Sequence, residues 1–197
     1  MREFEYYKPK TNGELLAVLA QDGARIVAGG TDVIPRWRRE RLSATTLVDI
    51  SSVGGLRFIR EEEGKIEIGA LSTHADLINS VLLQQTAPLL VQAAASVGCP
   101  QTRQRGTLGG NLVNASPAAD LAPALLALDA SVWLQNAQGE RQVPLTEFWL
   151  GPGKTVLNSG EYLHSAAFVP PQGAYGMAFR SEEHTSELQS RLQLVCR

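Results

Sequence analysis

The chain has 197 residues, 44% of them hydrophobic, and a formal net charge of −2. That suffices for one ordinary domain or two small ones around a buried core, and the near-neutral balance without a basic stripe argues against nucleic acid as the main partner. The two cysteines, Cys99 and Cys196, lie far apart and share no metal-ligand spacing, so neither a disulfide framework nor a metal site is expected, and a reducing cytoplasm fits.

The first residues, Met1 to Tyr7, are charged and aromatic and lack the apolar stretch of a signal peptide. No apolar run reaches the length needed to cross a membrane, so no membrane insertion is expected. Thr11-Asn12-Gly13-Glu14 has the pattern of a capping box, opening a short helix with Leu15, Leu16 and Leu19 on its apolar face. Residues 25–28 read as a strand that runs into the turn Gly29-Gly30-Thr31-Asp32, followed by a polar basic segment over 36–41. Residues 45–50 form a second strand, which makes the first fifty residues a compact β-α-β-like unit.

Beyond Ser51, residues 56–60 and 65–68 alternate like the arms of a hairpin around Glu61-Glu62-Glu63-Gly64. Thr73 is placed to cap a helix over 76–81, and residues 88–97 form another, ended by Gly98. A long polar, glycine-rich segment covers 101–116, and Pro117 suits the first turn of a helix running through Leu128. Residues 131–134 and 142–143 suggest a second hairpin around Gln138-Gly139, and 162–169 a last strand stopped by Pro170-Pro171. From Arg180 the character changes: residues 180–190 read, codon by codon, as the translation of a common sequencing-library adapter, and 194–197 match its later part. Residues 180–197 are therefore set aside as a non-native tail, with His184 and Cys196 not read as ligands.

Two glycine motifs carry the functional argument. Glycines after a strand let successive backbone N–H groups face outward as a nest for a phosphate oxygen, with Thr31 as a further donor; a plain tight turn is the alternative. The second motif, Gly106-Thr107-Leu108-Gly109-Gly110-Asn111, follows the polar residues 101–105 and precedes Asn114-Ala115-Ser116-Pro117. Here, too, paired glycines permit backbone to approach a ligand closely. Asp120 reads either as a first-turn carboxylate or as an acceptor for ligand hydroxyls. Other nucleotide signatures fail: no G-x-G-x-x-G occurs, and Phe148 stands where the first glycine of a P-loop ending in Gly153-Lys154-Thr155 is required. His74 and His164 have no metal spacing and read as packed or surface residues, and Cys99 has no base beside it.

Taken together and in order, Val27-Ala28-Gly29-Gly30-Thr31-Asp32 and the run 105–128, with Ser116-Pro117-Ala118-Ala119-Asp120-Leu121, resemble the FAD-binding subunits of molybdenum hydroxylases. Trp149-Leu150-Gly151-Pro152-Gly153-Lys154-Thr155 is similar to the xanthine dehydrogenase branch; the resemblance covers about residues 4–179. It implies an α+β fold of the molybdopterin dehydrogenase (PCMH) type with two FAD-binding subdomains, here over 1–52 and 53–179, and a C-terminal domain beyond Phe179 that is missing. It also implies FAD contacts at Ile26, Val27, Ala28, Gly29, Gly30, Thr31 and Asp32, at Thr107, Gly110, Asn111, Asn114 and Asp120, and at Leu163 near the adenine end. Arg180 stands where a flavin-contacting lysine often lies, within the suspect tail; Gln104 departs from a common Asn without touching the glycine motif. No general acid or base is assigned, because the reactive chemistry belongs to the flavin. The implied partners are a molybdopterin-binding subunit, a 2Fe-2S iron–sulfur subunit, and NAD or another electron acceptor. A stand-alone flavin oxidase or cell-wall precursor reductase of the same fold, and an inactive or structural fragment, are the competing readings. The absence of His from either glycine motif disfavours the covalent flavin attachment that would mark the former.

Overall fold

The computed structural model describes residues 4–21, 23–39, 44–172 and 176–177. The expected strand–helix–strand unit is present, and a third strand joins it. Strands β1 (Glu5–Tyr7), β2 (Ala24–Val27) and β3 (Thr46–Asp49) form a parallel sheet in the order β1-β3-β2. Helix α1 (Asn12–Leu19) buries Leu15 and Leu19 against it. The Thr11 side chain accepts from the Glu14 N–H at 3.2 Å, but the Glu14 carboxylate reaches back to the Lys10 N–H at 2.7 Å rather than to the cap residue. The predicted box therefore closes one residue early. The basic segment after the first glycine turn begins as a helix, α2 (Val33–Arg38).

The second unit is an antiparallel five-stranded sheet in the order β4-β5-β10-β6-β7, built from β4 (Ile59–Glu62), β5 (Lys65–Gly69), β6 (Ser131–Asn136), β7 (Gly139–Pro144) and β10 (Tyr162–Phe168). In the first hairpin the arms run on through Glu62, leaving only Glu63 (φ 52°) and Gly64 (φ 74°) to turn in the left-handed region. The second hairpin turns on Asn136, whose Oδ1 accepts from the N–H groups of Gln138 and Gly139. Helices α3 (His74–Asn79), α4 (Val81–Thr86), α5 (Pro88–Ser96), α6 (Pro100–Arg105), α7 (Leu108–Val113), α8 (Leu121–Ala127) and α9 (Leu145–Phe148) contribute most of the remaining core. A short pair, β8 (Trp149–Gly151) and β9 (Lys154–Thr155), follows them.

Several predicted elements are corrected. The helix expected over 76–81 starts at His74, on a reciprocal Thr73–Asp76 capping box, and stops at Asn79; Ser80 then caps α4. The polar, glycine-rich segment 101–116 carries α6 and α7; in α7, Leu108 and Leu112, four apart, are both fully buried. Pro117 lies in the turn before α8, where the Ser116 carbonyl accepts from the Ala119 N–H, so the helix opens at Leu121. The tail 180–197 lies outside the described residues.

The two units share a strand. On β10, Leu163, Ala166 and Phe168 enter the large core under the five-stranded sheet, whereas Tyr162 enters the core of the small unit, along with Val53, Leu56 and Leu71. The small core thus recruits residues well past position 52. Tyr162 is 2% exposed; its hydroxyl donates to Asn12 Oδ1 at 2.7 Å and meets the Gln135 side-chain amide, tying α1 to β6. Tyr162→Phe is expected to lower unfolding free energy by about 1–2 kcal/mol, read from the urea midpoint at unchanged slope.

Candidate functional site

A cleft of about 490 Å³ opens between the two units, within the range of roughly 300–1,000 Å³ usual for small-molecule sites. Its walls bring together most of the residues predicted as a site. Ile26, Ala28, Gly29, Gly30, Thr31 and Asp32 line one side; Thr107, Gly110, Asn111 and Asn114 line the other, and Leu163 also contributes.

The first turn is built for close approach. Gly30 takes φ 74°, where glycine is favoured, and a Cβ there would press on Ile34 at 3.2 Å. Among the described residues the backbone N–H groups of Gly29, Gly30, Thr31 and Asp32 find no acceptor within the protein. Successive unpaired N–H groups at a left-handed turn form an anion nest. Arg25 and Arg36 stand on the same wall. Of the two acidic lining residues, Asp32 and Glu161, the second is already engaged: its carboxylate takes a bidentate pair of bonds from Arg141, both 2.8 Å, and its pKa is held low by that partner.

The second turn is locked to the first by contact and to the segment that follows β5 by hydrogen bonds. A Cβ on Gly29 would lie 1.8 Å from the Arg105 carbonyl oxygen and 3.1 Å from the Gly106 nitrogen. The two glycine motifs therefore meet backbone to backbone. Leu108 N–H donates to Ser72 O at 2.9 Å, and Gly109 N–H to Ala70 O at 2.9 Å. Thr107 accepts the Gly110 N–H on its hydroxyl, at 3.1 Å, as the cap of α7. Asn111 Oδ1 is buried with no partner among the described residues, although its residue lines the cleft. A buried acceptor left open beside a cleft is a place for a ligand donor.

Two predicted contacts fall outside the cleft wall. Val27 belongs to the strand face opposite Ile26 and Ala28, and its side chain sits beside Ile34 under Gly30. Asp120 stands at the start of α8 without a cap bond, half-buried near the Ser96 hydroxyl; burial raises its pKa and the Ser96 bond opposes that. Sequence reasoning missed several lining residues. His74 is 3% exposed with Nδ1 unpartnered among the described residues, and burial, reinforced by Arg103, pulls its pKa down to about 4. Gly153, Thr155, Leu157 and the turn Asn158-Ser159-Gly160 also contribute, brought in from distant sequence positions by β9 and β10. Cys99 is exposed and free. Among the described residues no cluster of His, Cys, Asp and Glu has metal-binding geometry, and no helix is long and apolar enough to cross a membrane.

A parallel βαβ turn facing an antiparallel sheet across a glycine-lined anion cleft defines a nucleotide-cofactor domain. Residues 2–171 match the family described as FAD binding domain in molybdopterin dehydrogenase, and the chain belongs to that family. The medium chain of carbon monoxide dehydrogenase from Hydrogenophaga pseudoflava is 38% identical over 162 residues, 81% of this chain and 56% of that one. The xanthine dehydrogenase FAD-binding subunit of Escherichia coli O157:H7 is 36% identical over 169 residues, covering 85% and 58%. The solved structure of the Hydrogenophaga pseudoflava carbon monoxide dehydrogenase that lacks the Mo-pyranopterin moiety of the molybdenum cofactor superposes with a TM-score of 0.90 at 33% identity, over 94% of this chain and 65% of that one. The chain spans a little over half the length of these two curated relatives. FAD is the family's cofactor, and the residues here fit it: among the described residues, unpaired N–H donors at one turn, and at the other an open glycine wall with an orphaned acceptor on Asn111.

Proposed function

We propose that this chain is the FAD-binding part of an oxidoreductase subunit in a molybdenum hydroxylase of the xanthine dehydrogenase type. The observation that carries this is the backbone contact of Gly29 with Arg105, which places both glycine turns on one cleft. The N–H groups of Gly29 to Asp32 hold the pyrophosphate, with Arg36 adding charge. Thr107, Gly110, Asn111 and Asn114 hold the opposite side of the cofactor, and Leu163 packs toward its adenine end. Val27 contributes backbone only, and Asp120 acts through the start of α8. When bound, FAD supplies the redox chemistry; the protein's groups bind, orient and tune it. Its place is between the iron–sulfur clusters of a 2Fe-2S partner subunit, fed by a molybdopterin-binding subunit, and NAD or another acceptor. Carbon monoxide dehydrogenase, nicotinate dehydrogenase and xanthine dehydrogenase among the relatives' names support a multi-subunit setting.

The test is an absorption spectrum of the purified chain after incubation with FAD and removal of free flavin. Retained oxidised-flavin bands are the expected result. A colourless protein that still shows one cooperative unfolding transition would overturn the reading.

A further inference from the structure

His74 is unused by the cofactor reading, yet it sits behind the junction of the two glycine turns. Its backbone N–H donates to the Gly106 carbonyl at 3.1 Å, and Thr73 and Thr107 pair as an isolated antiparallel bridge. Its ring edge fills the space beside Gly106: a Cβ there would meet Cδ2 at 3.0 Å and Nε2 at 3.1 Å, with the Thr102 carbonyl also at 3.1 Å. Gly106 in turn follows Arg105, whose carbonyl touches Gly29. A continuous stack therefore runs from the imidazole through Gly106 and Arg105 to the anion turn.

We propose that His74 is a positioning residue of the cofactor cleft, its buried ring acting as the spacer that holds Gly106 and Arg105 against Gly29 and so sets the separation of the two glycine turns. The proposal rests on the assignment of the cleft to FAD. Sealing Nδ1 away from water keeps the ring uncharged, which lets it lie close to Arg103 without repulsion. The ring leaves too little room for even a Cβ on Gly106, so bulk added at the glycine, or removed at the ring, is transmitted to the turn rather than absorbed.

The test is a double-variant cycle on the full chain, with FAD affinity measured by titration and the melting temperature of the FAD-free chain recorded separately. His74→Ala removes the spacer, Gly106→Ala pushes against it, and each is expected to weaken FAD binding by at least about tenfold, or about 1.4 kcal/mol. In the double variant the added methyl enters the space the ring vacated, so binding is expected no weaker than in the worse single variant. His74→Phe, which keeps a planar ring, is expected within about threefold of the unsubstituted chain, and it preserves the test should His74→Ala fail to fold. A purely structural role lowers the melting temperature without this coupling. Losses that multiply, an unchanged affinity in folded His74→Ala, or loss of FAD in folded His74→Phe would overturn the assignment while FAD binding by the unsubstituted chain stands. Failure of the unsubstituted chain to bind FAD would overturn the cleft reading and this one with it.

Discussion

Gly29→Ala is expected to weaken FAD binding on the order of 100-fold or more. The added carbon would lie 1.8 Å from the Arg105 carbonyl oxygen and 2.5 Å from its carbonyl carbon, and neither is the flexible end of a side chain. The backbones must separate, which draws the unpaired N–H groups of the first turn away from the second. Hydrogen bonds to a charged group contribute about 1.5–3 kcal/mol each, so misplacing two accounts for a loss of that size at about 1.4 kcal/mol per tenfold. Gly110→Ala meets only the Thr107 hydroxyl, at 3.0 Å, and is expected to be milder. Gly54→Ala, with nothing within 4 Å, serves as the control and is expected to change stability by no more than about 0.5 kcal/mol. Fluorescence titration with FAD checks the order; equal affinity in the Gly29 and Gly54 variants would refute the steric account.

Acidification from about pH 6.5 to about pH 4 is expected to remove about 3 kcal/mol of folding stability through His74 alone. The ring's pKa is lowered from 6.5 to about 4, by burial first and Arg103 second. In that window the unfolded chain binds a proton that the folded chain refuses, so stability rises with pH there and levels off above it. Asp49, Glu67, Asp76 and Glu161 all have lowered pKa values. Their contributions are present above the ordinary carboxylate range and are lost only as pH falls through it, so they act mainly below the histidine window. Asp120 runs the other way: burial raises its pKa, and protonation eases its place in the fold. Urea unfolding at several pH values, repeated on His74→Gln, checks this; a slope that survives the substitution would assign the loss elsewhere.

Local signals were legible where one residue decides the geometry. Thr73 reads as a helix cap and caps α3; Gly64 and Gly139 mark hairpins, and both hairpins form there. The glycine turns were legible as possible anion sites, but their contact was not, since Gly29 and Arg105 are joined by tertiary packing alone. Glycine and polar residues hid α6 and α7; the readable trace was Leu108 and Leu112 one helical turn apart. Strand β10 lies between β5 and β6, and its pairing with β5, which sets Ser165 opposite Gly69, joins positions that no local periodicity could link. His74 read as a packed or surface histidine, and it is packed; only the structure shows what it is packed against.

The strand that serves two cores has a thermodynamic corollary. Because Tyr162 belongs to one core and Leu163 to the other, the small unit cannot melt without stripping a tyrosine from the end of the large sheet's middle strand, nor the large sheet without emptying the small core. Two folding units so spliced behave as one cooperative switch. A ligand seated between them then reports on the whole chain: at a free concentration about one hundred times its dissociation constant, it raises global stability by about 2.7 kcal/mol, and flavin occupancy becomes a gauge of how much of the population is intact.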